Sequence, residues 1–207
     1  MKEKELNRLK DMLEIENKLY LNGYKYICGV DEAGRGPLCG PVVAAAVILR
    51  KDECIEGVND SKKLTEKKRE ILFDEIMNRA ISVGVGISDV SVIEDVNILN
   101  ATKLAMKQAI EKLNITPDYV LIDGNQMIDI DIPAQTVVSG DAKSESIAAA
   151  SIIAKVTRDR ILREFDKKYP EYGFAKHKGY GTAQHIQAIK TYGPCLLHRK
   201  SFIKNFI

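Results

Sequence analysis

The chain has no long hydrophobic run, no C-x-x-C pair and little net charge, and each absence removes a class of function. The longest apolar stretch, Leu38 to Leu49, contains Gly40 and Pro41 and is too short to span a bilayer. The opening "MKEKELNRLKDMLEIENKLY" is charged throughout, without the apolar core and small-residue cleavage site of a secretory signal. Cys28, Cys39, Cys54 and Cys195 show no redox or zinc spacing, and two of them lie in apolar runs where a reduced thiol packs as a small hydrophobe. A soluble protein of the reducing cytoplasm is expected. His177, His185 and His198 also lack zinc-ligand spacing, so surface or hydrogen-bonded roles are expected for them. Neither a nucleotide P-loop nor a dinucleotide fingerprint occurs. Met106 and the other methionines are expected to pack rather than bind a cofactor. There is no internal repeat, low-complexity tract or long linker.

What is present fits a folded domain. A chain of 207 residues, 45% of them apolar, can bury one substantial core and carry a small appendage. Its formal net charge is only +2, but the charge is unevenly spread. From Asp141 onward there are 13 Lys and Arg against 6 Asp and Glu, a local +7 that leaves −5 for residues 1–140. A basic carboxyl-terminal third suits a phosphate-rich ligand.

Residues 2–20 read as one amphipathic helix with Leu6, Leu9, Leu13 and Leu19 near one face, stopped at Asn22-Gly23. Strands are expected at Tyr24 to Val30, Val42 to Leu49 and Ile81 to Ile87. Thr65 is a candidate cap for a helix whose buried stripe is Ile71, Leu72, Ile76 and Ala80. A helix from about Asn97 to Leu113 leads into the buried strand "DYVLIDG", and "AQTVVSG" is a further strand ending before Asp141. Ser144 to Lys168 reads as a long helix whose "SIAAASIIA" segment suits close packing on a sheet, and Thr182 to Tyr192 as a last helix. This order predicts an α/β domain with a mixed sheet, divided into an N-terminal helix (1–23), a catalytic domain (24–168) and a C-terminal helical extension (169–207).

The chemistry is expected at the acids. In "YICGVDEAGRGP" a strand carries the adjacent Asp31 and Glu32; neighbours on a regular strand point to opposite faces, so a shared task predicts that the strand ends or bulges there. Asp123 and Asp141 are expected at the exits of later strands. If the strands bearing Asp31 and Asp123 are parallel, their carboxyl ends share the ligand-binding edge of the sheet. Several carboxylates in one partly desolvated space call for cations, and an all-oxygen set suits Mg²⁺ or Mn²⁺, two of which could serve phosphodiester hydrolysis. The glycines of "GRG", Gly34 and Gly36, would let the backbone approach a sugar-phosphate chain, and Arg35 could meet a phosphate. "NDSKK" and "HKGYGT" add polar, basic and aromatic loop groups.

Taken together, "GVDEAGRGP", "NDSKKL", "YVLIDGN", "GDAKS…AAASIIAKVTRDR" and "YGFAKHKGYGT" resemble bacterial ribonuclease HII, in matching order from about Tyr26 to Phe202. The resemblance implies a ribonuclease H-like mixed β-sheet flanked by helices. It also implies endonucleolytic cleavage of RNA in RNA-DNA hybrids and at ribonucleotides embedded in duplex DNA, leaving 5′-phosphate and 3′-hydroxyl ends. Asp31, Glu32, Asp123 and Asp141 would be the metal-binding and catalytic carboxylates; the resemblance, not the spacing, selects Asp141 over Asp129, Asp131 or Asp159. Gly34, Arg35 and Gly36 would recognise the ribonucleotide and its phosphate, Tyr180 would pack on the sugar, and Lys62, Lys63 and Lys143 would contact the backbone. Ser139 departs from the Lys frequent before Gly-Asp in the family, and the first twenty residues lie outside the shared motifs. Neither a membrane nor an obligate protein partner is implied, and a monomer is expected. The competing readings are a phosphoacceptor receiver, for which the 92 residues between Asp31 and Asp123 are too many, a metal-dependent DNA nuclease or strand-transfer enzyme, and a non-catalytic nucleic-acid-binding module.

Overall fold

Runs of β-branched and small apolar residues build a five-stranded sheet, seen in a computed structural model that describes residues 3–51 and 53–205. Strands β1 (Ile27–Ala33), β2 (Val42–Ile48) and β3 (Ser82–Ser88) are antiparallel neighbours, while β4 (Tyr119–Asp123) and β5 (Ala134–Val137) extend β1 in parallel. The spatial order is β3-β2-β1-β4-β5. Every residue of β2, "VVAAAVI", is buried, as expected for a strand covered on both faces.

Helices supply that cover. One face carries α5 (Glu145–Lys168) and α3 (Glu66–Arg79), whose Leu72 and Ile76 join Ala148 to Ala150, Ile152 and Ile153 over Ala45 and Val47. The other carries α4 (Val90–Glu111), whose Ala101, Ala105, Met106 and Ala109 pack on Ala44, Ala46, Val30 and Ile122. The glycines of "ISVGVGI" explain the close fit on this face: a Cβ at Gly84 or Gly86 would run into the backbone carbonyl of Ala109 or Ala105. Met106 is core, as expected.

Several expectations need correction. The N-terminal segment is two helices, α1 (Glu3–Met12) and α2 (Glu14–Leu21), broken at Leu13, and Lys2 lies outside the described residues. The break turns Leu9, Met12, Glu16 and Leu19 inward but leaves Leu6 exposed and Leu13 only half-buried. In α3, capped by Thr65 as expected, Ile71 is exposed and Ala80 half-buried, so the buried stripe narrows to Leu72 and Ile76. Helix α4 begins seven residues earlier than expected, behind an Asp89 cap, and bends at Asn97, whose φ of 67° lies in the left-handed region. The Asn97 side chain accepts from the N–H groups of Leu99 and Asn100, restarting the helix after the bend. Strand β5 stops at Val137, short of the expected "AQTVVSG", because Ser139 turns left-handed and opens a single 3₁₀ turn, Gly140–Ala142.

Beyond α5 the chain forms α6 (Phe174–His177), α7 (Ala183–Tyr192) and α8 (Lys200–Ile203). Their aromatic cluster, centred on Tyr172 and Phe174, packs on Cys39 and Leu162 of the sheet-bearing part. Among the described residues no helix is long and apolar enough to cross a membrane. The four cysteines are free thiols, and burial pushes Cys28 and Cys39 up to about 12.

Candidate active site

Asp31 and Glu32 lie within β1, not at its end. The strand runs unbulged to Ala33, with Asp31 opposite Ala45 and Glu32 opposite Ala44 of β2. Paired residues share a face, so Asp31 belongs to the side covered by α5 and Glu32 to the side covered by α4. The acids nevertheless meet one space because the parallel partner stops: β1 and β4 are paired only as far as Val30 and Ile122, and Asp123 is the last residue of β4. Glu32 and Asp123 thus line a small cavity of about 40 Å³ with Leu99, Thr102 and Met106 of α4. Asp141 enters from the 3₁₀ turn before α5, which is tied to β4 by the Gly140 N–H donating to Asp123 Oδ1 at 2.6 Å. A sheet edge and a turn, rather than four strand exits, assemble the site.

The electrostatics show how closely the four are gathered. Burial, then the charges of Glu32, Asp123 and Asp141, raise the Asp31 carboxyl well above the usual carboxylate range. Burial also raises Glu32, against the opposing pull of Arg35, and raises Asp141, helped by Asp60 and Asp123. Lys62 answers this field: burial works against its charged form, but Asp31, Asp141, Asp60 and Asp123 together raise its pKa. The donor set is wholly carboxylate oxygen, the chemistry suited to hard divalent cations. Among the described residues no three of these groups are closed into a coordination cage, and one oxygen of Asp31 accepts instead from the Glu32 N–H at 2.6 Å.

The Gly34-Arg35-Gly36 loop follows directly. Arg35 reaches back to Glu32, with Nη1 3.4 Å from Oε1, and Gly34 takes a φ of +100° where a Cβ would strike the Arg158 side chain. Tyr180 is half-exposed beside the loop, its ring carbon 3.8 Å from where a Gly36 Cβ would lie. Its backbone is held by a histidine chain. His198 Nδ1 accepts from the Cys195 N–H, so its Nε2–H donates to His185 Nε2 at 3.1 Å, and His185 Nδ1–H donates to the Tyr180 carbonyl at 3.0 Å. His177 stacks on His185 and accepts from the Gly179 N–H. All three rings are buried, and desolvation lowers His198 and lowers His185 to about 4. The sequence expectation of hydrogen-bonded histidines fits this arrangement.

The lysines divide. Lys62 faces the acids, Lys63 lies 3.8 Å from Asp60, and Lys143 is exposed with Nζ donating to the Val138 carbonyl. Three groups at the site were missed in the sequence: Asp60, and the buried Arg158 and Arg199. Asp60 sits inside the quoted "NDSKK", where its side chain accepts from the Lys62 N–H, and its proximity to Asp141 depends on folding. Arg158 lies within the quoted "AKVTRDR" without being singled out there, and Arg199 gave no sequence signal beyond belonging to a basic region.

Comparison with known proteins agrees with this architecture. The family model for ribonuclease HII matches residues 28–205. A ribonuclease HII of Acetivibrio thermocellus is 65% identical over 99% of the chain, which spans 80% of that relative. A crystal structure of a ribonuclease H2 from Pyrococcus horikoshii superposes with a TM-score of 0.72 at 30% identity, covering 87% of this chain and 96% of that one. A ribonuclease HII from Archaeoglobus fulgidus, solved in complex with PCNA, gives a TM-score of 0.70 at 26% identity, covering 84% and 93%. With the mixed sheet, the acidic edge and the glycine-arginine loop already in place, these matches show that the chain belongs to the ribonuclease HII family.

Proposed function

We propose that this protein is an endoribonuclease that hydrolyses the RNA strand of RNA-DNA hybrids and incises duplex DNA at embedded ribonucleotides. The observation that carries this reading is the joining of two features at one sheet edge in a chain of this family. Asp31, Glu32, Asp123 and Asp141 stand near the Gly34 to Gly36 loop and Tyr180, which would meet a sugar. These carboxylates would hold Mg²⁺ or Mn²⁺, two ions during the reaction, which when bound supply an activated water and stabilise the leaving oxygen.

The chain's own residues do the rest. The Gly34 to Gly36 backbone lies open to a sugar-phosphate chain, and Arg35 can be drawn from Glu32 to a phosphate. The 2′-hydroxyl is the one sugar group that separates RNA from DNA at a nucleotide, so a site that hydrogen-bonds it discriminates strongly, and Tyr180 would pack against that sugar. Lys62, Lys63 and Lys143 would neutralise neighbouring phosphates, and the basic residues 169–207 would extend the contact as a substrate-binding extension. Four free cysteine thiols suit the reducing cytoplasm as the compartment of action.

A labelled duplex carrying one ribonucleotide tests the reading. Incubation with Mg²⁺ or Mn²⁺ is expected to give one cut with 5′-phosphate and 3′-hydroxyl ends, abolished by a chelator. Equal cleavage of an all-DNA duplex would favour a DNA nuclease, and binding without cutting a non-catalytic module.

A further inference from the structure

Arg199 is completely buried and faces no carboxylate. Its Nε donates to the Gly40 carbonyl at 3.0 Å, Nη1 to the carbonyls of Arg35 and Pro37 at 2.9 and 2.8 Å, and Nη2 to those of Gly34 and Gly40 at 2.6 and 2.8 Å. Arg158, 1% exposed, completes the grip: Nε donates to the Pro41 carbonyl, Nη2 to that of Cys39 and Nη1 to that of Lys178. Six of the eight carbonyls from Gly34 to Pro41 therefore point at two guanidinium groups, and neither group forms an ion pair among the described residues. The nearest acids are otherwise engaged, Glu94 with Ser201 and Asp159 with Lys155.

Peptide geometry turns this grip into a statement about the substrate side. No cis bond occurs among the described residues, and in a planar trans peptide the N–H of one residue opposes the carbonyl of the residue before it. With the carbonyls of Gly34 and Arg35 drawn inward to Arg199, the N–H groups of Arg35 and Gly36 point outward. Among the described residues nothing accepts from either. Two free donors thus stand over two buried positive charges that neutral carbonyls contact directly and that Glu94 and Asp159 offset only at longer range.

We propose that Arg199, with Arg158, is the positioning residue that aims the Arg35 and Gly36 amides at the ribonucleotide and places a positive charge without an ion-pair partner behind them for its phosphate. The inference rests on the reading of residues 34–36 as the recognition loop and adds what orients and polarises that loop. Carbonyls held by a guanidinium leave their own amides more acidic and thus stronger donors to an anion or a 2′-oxygen. Arginine suits the task because its planar fork reaches several carbonyls at once, which a lysine cannot.

Arg199→Lys and Arg199→Gln separate the two parts of the proposal, with wild-type incision of a single-ribonucleotide duplex as the reference. A wild type that does not cut would fail the functional reading, whatever the variants do. Given a cutting wild type, Arg199→Lys keeps the charge and loses the fork. KM for the ribonucleotide duplex is expected to rise about ten-fold or more, while inhibition by an all-DNA duplex and calorimetric Mn²⁺ binding stay within about two-fold. Arg199→Gln loses the charge as well, so the all-DNA duplex is expected to bind several-fold more weakly, with the salt dependence of binding reduced by about one phosphate contact. A folded Arg199→Lys enzyme with wild-type ribose preference overturns the positioning role, as does a parallel fall in kcat, DNA binding and Mn²⁺ affinity. Equal salt dependence in the Lys and Gln variants overturns the role of charge. Should both variants fail to fold, amide resonances of the wild type decide: the Arg35 and Gly36 N–H signals are expected to move downfield on adding the ribonucleotide duplex under chelator and not on adding its all-DNA counterpart. Unmoved signals overturn the proposal.

Discussion

Two regions on either side of the glycine-arginine loop carry unbalanced charge of opposite sign, and they handle it differently. At the acidic rim, Asp31, Glu32 and Asp141 answer mutual repulsion and burial by holding their protons more tightly, with Lys62 and Arg35 as partial counter-charges. Beneath the loop, Arg158 and Arg199 remain charged and spread over neutral carbonyls. The difference follows from chemistry: a crowded, buried carboxylate can neutralise itself by taking a proton, but a guanidinium cannot readily shed one, and Arg199, lowered by burial to about 10, is still protonated at neutral pH. The rim is thus suited to exchange its protons for cations, and the clasp to hold a shape.

The largest effect should come from breaking the rim. Asp31→Asn or Asp123→Asn is expected to cut turnover by about 10³-fold or more, because the lost negative oxygen is one that would hold the metal. Asp31→Asn should also raise thermal stability, since relief of about 1 kcal/mol of repulsion moves the midpoint of a domain this size by about 2 to 4 °C. A loss of activity accompanied by unfolding would contradict that account.

On the opposite side, Gly34→Ala should disturb the clasp through its backbone. A side chain at φ +100° that also displaces Arg158 is expected to lower stability by about 2 to 4 kcal/mol, measured by urea denaturation. Tyr180→Ala, which removes no charge from either cluster, should weaken ribose preference by about ten-fold while leaving binding to all-DNA duplex nearly unchanged. An unchanged RNA/DNA preference would remove Tyr180 from recognition.

A third buried charge site sharpens the comparison. Glu145, at the start of α5, donates nothing and accepts from the Ile55 N–H, while burial and the nearby Glu16 carry its carboxyl up to about 7. The second oxygens of Glu16 and Glu145 are buried without a partner among the described residues. A folded-state pKa raised above the ordinary 4.5 means that the native state holds the proton more tightly. This contribution to stability is present at low pH, declines as pH rises from about 4.5 through about 7, and levels off above, a span of about 3 kcal/mol. Glu145→Gln should flatten that decline, seen as the difference between wild-type and variant urea midpoints from pH 5 to 8. As the smallest change, Thr65→Ala, whose side chain bonds only the α3 backbone among the described residues, should cost about 1 kcal/mol through loss of the cap and leave ribose preference untouched.

Much of this was legible in the chain. In the sequence the parallel pairing of β1 with β4 was only a condition for bringing Asp31 and Asp123 to one edge, but the long small-residue helix α5, the Thr65 cap and the helix from about Thr182 to Tyr192 follow patterns visible there. The first limb of α4 did not, because Val90, Val92, Ile93 and Val96 are β-branched residues with modest helix propensity that tertiary packing overrides. The unbulged course of β1 through both acids was also missed: the space they share arises where β4 ends, a property of the neighbouring strand.

By itself, then, the sequence determined most of the order of the elements and the family to which its motifs point, because hydrophobic period, capping residues and motif spacing are local properties written in consecutive residues; the choice of Asp141 among the later acids came from the family resemblance. Only the tertiary structure decided that Asp60 joins Asp141, that His185, backed by His198 and His177, holds the Tyr180 carbonyl, and that Arg158 and Arg199 close on the loop at residues 34 to 41. Those contacts join residues up to 165 positions apart, and long charged side chains adopt a buried role only when folding brings carbonyls within reach to replace water.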